Sequence, residues 1–282
     1  MTDGAEMARL GGAPVWGVLL DVDGVLHVGW RAVPGAGLAL AALDLAGLPY
    51  RLLTNTTTVS RATLGERLRA LGLPVADDAL LTAPLATADY LQRRYPGARC
   101  FVIAKGDVAD DLRAAGVELV ADEGDADVVV IAGAEEELTY DRLNRAFRLL
   151  LGGARLVAMH RNRAWRTETG MSLDSGPFVR ALEDAAGVRV TVVGKPSPTF
   201  FRQGVRALGV PPREVAMVGD DAANDLASAR RLGLRTVLVR TGKPVWAREA
   251  GEADATLDSV AALPAALGLT PGDRGDSDGG VG

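Results

Sequence analysis

The chain has 282 residues, 48% of them hydrophobic and 24% charged, which suits one large domain or two ordinary ones with a sizeable core. A formal net charge of −5 argues against a nucleic-acid or anionic-membrane partner, and no apolar run approaches the ~20 residues of a membrane span. Cys100 is the single cysteine, so no internal disulfide can form, and a reducing, cytoplasmic setting is expected.

Val15 to Leu20 is a short apolar run that reads as a buried strand, and it ends in Asp21-Val22-Asp23-Gly24. Side chains two apart on an extended chain point the same way, so the two carboxylates repel unless a cation or a shared proton relieves them. A helix follows over Gly35 to Ala46, then a strand over Tyr50 to Leu53 that ends in Thr54-Asn55. Ser60 is the expected N-cap of a helix running through Leu71, and Ala83 to Arg94 is helical again. Strands are expected at Cys100–Ala104, Val117–Val120, Val128–Ala132 and Leu156–Met159, with a helix over Tyr140 to Leu151 behind a Thr139 cap. Cys100 reads as a small core hydrophobe in its strand. A polar, glycine-containing stretch, His160 to Gly176, comes next. The chain then reads as helix Phe178–Ala186, strand Val190–Val193, helix Pro198–Leu208, strand Val215–Val218, helix Asn224–Leu232 and strand Thr236–Val239. The alternation is that of a parallel α/β sheet. No repeat of fixed period is present. The stretch from Thr270 to Gly282 is Gly/Asp-rich and expected to be disordered.

Four strand ends carry chemistry. The first is the Asp21/Asp23 pair. The second is Thr54-Asn55, whose hydroxyl and backbone N–H groups could hold phosphate oxygens. The third is Gly194-Lys195-Pro196, which sets a point cation at the sheet edge. The fourth is Gly219-Asp220-Asp221-Ala222-Ala223-Asn224-Asp225, with three carboxylates within six residues. Asp225, near a helix start, could simply cap it. Hard oxygen ligands suit Mg²⁺, and a lysine and a hydroxyl beside Mg²⁺ suit a phosphoryl group. All four ends fall before residue 56 or after residue 193. The α/β segment between them carries little comparable chemistry and reads as a domain inserted into another.

The order Asp-x-Asp-Gly, Thr-Asn, Gly-Lys-Pro, Gly-Asp-Asp-x-x-x-Asp resembles the four motifs of the haloacid dehalogenase (HAD) superfamily. About 120 residues separate the second and third motifs. That spacing resembles the branch of p-nitrophenyl and phosphoglycolate phosphatases, which carries a large α/β cap there. Thr54-Asn55-Thr56-Thr57, Arg145 to Leu150, Gly176-Pro177-Phe178-Val179 and Val193-Gly194-Lys195-Pro196 look closest to the phospholysine phosphohistidine inorganic pyrophosphate phosphatase subgroup. The resemblance covers roughly residues 14 to 265. It implies a Rossmann-like parallel-sheet core over 1–82 and 177–269, an inserted α/β cap over 83–176, and a tail over 270–282.

What the resemblance implies chemically is a phosphohydrolase that works through an aspartyl phosphate on a small phosphorylated metabolite. Asp21 would be the nucleophile and Asp23 the acid and base. Mg²⁺ would be held by Asp21, the main-chain carbonyl of Asp23, and Asp220. Thr54, the Asn55 N–H and Lys195 would bind phosphate oxygens. Asp225 would orient Lys195 or a metal-bound water, and Asp221 could do either. His160, Arg161, Arg163, Trp165 and Arg166 form the most distinctive polar stretch of the cap and are expected to select an anionic or ring-bearing leaving group. His27 reads as structural or merely near the site rather than catalytic, since the mechanism already has its acid and base. Analogy with capped phosphatases also suggests a homodimer formed through the cap. Two other readings compete: a metal-independent dehalogenase, which leaves Asp23 and the Asp220 cluster without a role, and a non-catalytic phosphate- or Mg²⁺-binding module.

Overall fold

The run Gly17–Asp21 forms a strand buried along its whole length. Its side chains alternate between two apolar clusters. Val18 and Leu20 pack with Leu40 and Leu43 of helix Ala36–Leu45, whereas Leu19 packs with Phe200 and Phe201 of helix Pro198–Leu208. A strand covered on both faces has no polar side to show, which is why it reads as an unbroken apolar run. Gly204 lets the second helix approach closely, since a Cβ there would lie 2.9 Å from a Leu19 methyl. The structure, a computed structural model, describes residues 8–167, 170–242 and 253–269. The tail expected to be disordered lies outside the described residues.

Gly17–Asp21 sits inside a six-stranded parallel sheet. The spatial order is Ala255–Leu257, Arg235–Val239, Val215–Gly219, Gly17–Asp21, Tyr50–Thr54, Leu80–Thr82. The chain leaves the central strand to one side at Tyr50 and returns on its other side at Val215. That reversal is the switch point where open α/β sheets bind ligands, at the carboxyl ends of the strands. The register sets Leu20 between Val218 and Leu52, and Asp21 opposite Leu53.

A second parallel sheet of five strands has the order Thr191–Val192, Arg155–Ala158, Val128–Ile131, Arg99–Ile103, Glu118–Leu119. Helices Tyr140–Leu151 and Gly176–Ala186 cover one face through Ala146, Leu150, Val179 and Leu182. Cys100 is buried in this sheet, and burial pushes its thiol up to about 11, as a core hydrophobe requires. Among the described residues no helix is long and apolar enough to cross a membrane.

One expectation needs correction. Strand Thr191–Val192 and helix Gly176–Ala186, placed with the core by a boundary at 176/177, pair and pack with the second sheet. The pairing continues beyond the strand, with the Val193 and Gly194 amides donating to Ala158 O and Met159 O at 3.0 and 2.8 Å. The chain therefore leaves the second sheet only at Lys195. Within the polar stretch after His160, Ala164–Thr167 and Gly170–Leu173 form an antiparallel hairpin.

The two units join at the start of helix Arg61–Ala70. Its N-cap, Ser60, donates its amide to Asp107 Oδ1 (2.7 Å) and its hydroxyl to Asp107 Oδ2 (2.6 Å). Thr63 Oγ1 donates to the same Oδ2, and the Arg61 amide donates to Asp111 Oδ2. Two carboxylates from the second unit thus meet the positive end of a core helix, where an anion is favoured.

Candidate active site

The ends of the two central strands converge. Asp21 closes strand Gly17–Asp21, and Asp220 follows strand Val215–Gly219. Asp225 lies on a wide turn, Ala222–Leu226, that runs into helix Ala227–Arg231. All three are buried, and each offers an oxygen within 4.8 Å of the others. Lys195 comes in from the second sheet. Its ammonium sits 2.6 Å from Asp21 Oδ1 and 2.8 Å from Asp225 Oδ1.

Three devices hold that lysine in place. Asn55 clamps the main chain: its Oδ1 accepts from the Lys195 amide at 2.8 Å, and its Nδ2 donates to the Lys195 carbonyl at 3.0 Å. Gly194 leaves room for this clamp, because a Cβ there would come 2.6 Å from Asn55 Oδ1. Ser228 then donates to the carbonyl of Pro196, which follows a cis peptide bond.

The electrostatics follow from burial. Loss of water raises the Asp21 carboxyl to about 6 against the opposing Lys195 charge, with Asp220 adding to the rise. Asp225 is pushed up to about 7, first by burial and then by Asp21, again against Lys195. Burial works against the Lys195 charge, yet the Asp21 and Asp225 carboxylates outweigh it and hold the ammonium above its ordinary value.

Asp23 stands apart from this buried set, with its side chain 61% exposed. Its Oδ2 accepts from Thr56 Oγ1 at 3.2 Å and from Thr54 Oγ1 at 3.4 Å. The Thr54 and Thr56 hydroxyls lie 2.8 Å apart. The site thus holds an exposed carboxylate at its rim and a buried one beneath it. Gly24, at φ +84°, gives Asp220 its space, as a Cβ there would collide with the Asp220 carboxylate.

Asp221 now separates from Asp225. Its Oδ1 accepts from the amides of Ala223 and Asn224 at 3.1 and 3.0 Å, and its Oδ2 from Asn224 Nδ2 at 2.8 Å. It holds the turn that presents Asp225, whose Oδ2 accepts from the Asp221 amide.

The stretch expected to select the leaving group divides. His160 is buried at the joint between the units, with Nε2 2.9 Å from Thr57 Oγ1, and that oxygen also accepts from the Gly133 amide at 2.8 Å. Burial lowers the His160 pKa against the pull of Asp174. Arg161 pairs with Glu183, whose other oxygen accepts from the Val190 amide. Arg163 is exposed, and its carbonyl accepts from the Asp174 amide. The side chains of Trp165 and Arg166 lie outside the described residues.

Sequence reasoning missed Thr56, Thr57 and Thr241 as partners of the site. The first two continue the Thr54-Asn55 motif, and the hydroxyl run was the available signal. Thr241 donates to the Gly24 carbonyl just beyond strand Arg235–Val239, a fourth carboxyl end of the six-stranded sheet.

Comparison with known proteins agrees with this geometry. Residues 18–118 match the family model described as haloacid dehalogenase-like hydrolase, and residues 192–263 match the HAD-hydrolase-like model. The chain is 36% identical over 237 residues to human phospholysine phosphohistidine inorganic pyrophosphate phosphatase, spanning 82% of this chain and 85% of the relative. It is 40% identical over 226 residues to human haloacid dehalogenase-like hydrolase domain-containing protein 2, spanning 80% and 84%. Among solved structures, p-nitrophenyl phosphatase from Archaeoglobus fulgidus superimposes with a TM-score of 0.83 at 31% identity, over 90% of this chain and 99% of that one. The chain belongs to the haloacid dehalogenase-like hydrolase family and, within it, to the phosphatases.

Proposed function

We propose that the chain is a Mg²⁺-dependent phosphohydrolase that acts through an aspartyl phosphate at Asp21 on a small phosphorylated metabolite. One observation carries the reading: a buried lysine bridges Asp21 and Asp225 beside Asp220, at the switch point of a parallel sheet. The donor set is all oxygen, which suits a hard divalent cation. Asp21, Asp220 and the main-chain carbonyl of Asp23 would hold Mg²⁺, with Asp225 and Asp221 ordering the ligands from behind. When bound, the ion neutralises the approach of an anionic nucleophile to an anionic phosphate.

The residues then divide the work. Lys195, the Thr54 hydroxyl and the Asn55 amide bind the non-bridging oxygens. Asp21 Oδ bonds to phosphorus as the bond to the leaving oxygen breaks, and Asp23 gives that oxygen its proton. In the second step a water loses a proton to Asp23 and attacks phosphorus, releasing phosphate and restoring Asp21. The dehalogenase reading leaves Asp23 and the Asp220 cluster without a role.

The substrate class follows the relatives' names, so phosphate monoesters, phosphoramidates and pyrophosphate form the panel to assay. A homodimer through the second unit, to be read by light scattering, and a cytoplasmic setting belong to the same proposal. The direct test is phosphate release from p-nitrophenyl phosphate with Mg²⁺ and with EDTA. Release that stops with EDTA supports the reading, and full activity in a metal-stripped sample removes the metal from it.

A further inference from the structure

We propose that His27 is a positioning residue for Asp23, fixing one oxygen of that carboxyl group so that the other faces the leaving group. The inference rests on the phosphatase reading above.

His27 lies four residues after Asp23, and the backbone folds the two together. The Gly24 amide donates to His27 O at 2.7 Å, and the His27 amide donates back to Val22 O. Strand His27–Val28 then pairs with Arg31–Ala32 in a tight hairpin. The ring is 2% exposed and lies flat on Trp30, with centroids 4.7 Å apart and planes at 12°. The Arg67 guanidinium also lies over the Trp30 ring, 5.3 Å from its centroid. The imidazole plane is thus set by its stack on Trp30.

Among the described residues neither ring nitrogen of His27 has a hydrogen-bond partner. Buried polar atoms in that condition are rare and destabilising unless a partner is supplied. Nε2 is aimed at Asp23 Oδ1, 3.5 Å away. That is slightly long for a hydrogen bond, and such contacts in ligand-free sites commonly tighten once substrate is bound. The other carboxyl oxygen, Oδ2, faces Thr54 and Thr56. In the proposed mechanism Thr54 turns to the phosphate, so Asp23 gives up one of its two hydroxyl contacts. An N–H from His27 to Oδ1 then keeps the exposed carboxyl from swinging, and Oδ2 carries the transferred proton. His27 itself exchanges no proton.

Two substitutions separate this role from a purely structural one. His27→Gln keeps an N–H donor and loses the aromatic stack, whereas His27→Phe keeps the stack and loses the donor. The readout is kcat for phenyl phosphate, a poor leaving group, against kcat for p-nitrophenyl phosphate, a good one. A donor that positions the general acid matters most when the leaving oxygen needs its proton. His27→Phe should therefore slow phenyl phosphate roughly 10-fold or more, a part of the ~10²–10⁴-fold typical of general acid catalysis, and p-nitrophenyl phosphate less than ~3-fold. His27→Gln should stay within ~3-fold of wild type on both esters. The inference is overturned if His27→Phe behaves as wild type, if it slows both esters equally, or if His27→Gln is the more damaged variant. Failure of the underlying reading shows in proteins with His27 intact: wild type that releases phosphate from neither ester, or Asp23→Asn that treats both esters as wild type does.

Discussion

The two sheets of this chain are built alike and used differently. Each is parallel, with central strands buried on both faces and helices packed over them. At the carboxyl edge of the six-stranded sheet stand Asp21, Thr54 and Asp220. At the corresponding edge of the five-stranded sheet the chain passes through Ala104, Ala132 and Met159. Of the polar groups just beyond, Gly133 and His160 are spent on Thr57 at the joint, and Lys105 pairs with Glu135 and Glu136. The second sheet still reaches the site, because its edge strand delivers Lys195. The lesson is that architecture alone does not place chemistry. Buried carboxylates tolerate one another only where a cation meets them, and here the cation crosses over from the neighbouring unit.

Substitutions at the two edges should differ most in their effect on turnover. Asp21→Asn should remove turnover of p-nitrophenyl phosphate while circular dichroism stays unchanged, since an amide is a far poorer nucleophile. Asp23→Asn should cost ~10²- to 10⁴-fold in kcat, because both steps lose their proton carrier. Residual rates near wild type in either variant would erase the contrast between the sheets.

The crossing lysine comes next. Lys195→Ala leaves Asp21 and Asp225 buried without their cation, and breaking such a pair typically destabilises by ~3–5 kcal/mol. Chemical denaturation should show a loss of that order together with loss of activity. A stable, active variant would mean that Lys195 neither holds the carboxylates nor binds phosphate.

At the joint the effect should be on stability alone. His160→Ala strands the Thr57 hydroxyl and should cost ~1–3 kcal/mol, with the ranking of substrates unchanged. A changed ranking would return His160 to the role of selecting the leaving group.

The smallest effect concerns pH. The Asp21 and Asp225 carboxyls are raised in the folded chain to about 6 and about 7, so the native state holds more protons than the unfolded chain between about pH 4 and 7. Their contribution is present below pH 4 and is lost as pH rises through 7. In EDTA these two groups should therefore lower the melting temperature from pH 5 to pH 8, and in Mg²⁺ that loss should be smaller. Identical profiles in the two conditions would disconnect the carboxylates from the metal.

Much of this contrast was legible in the sequence, because strand ends announce themselves: an apolar run stops and charge begins, as at Leu20-Asp21 and Val218-Gly219-Asp220. Sheet membership was not legible. The run Val190–Val193 looks like any core strand, and only its pairing with Arg155–Ala158 assigns it to the second sheet. The separate duties of Asp221 and Asp225 were equally hidden, since adjacent acidic residues differ only in which amides they face. The burial of His160 was hidden for a related reason. A histidine beside arginines suggests a polar rim, but its burial depends on Thr57, 103 residues away.

The most direct test is to trap the intermediate. Wild-type protein is mixed with radiolabelled substrate in Mg²⁺, quenched in acid within one turnover, digested and mapped. The label is expected on the peptide containing Asp21 and absent from Asp21→Asn. Turnover by the wild type with no label on that peptide, or with label elsewhere, would contradict the assignment of the central strand end as the seat of the chemistry.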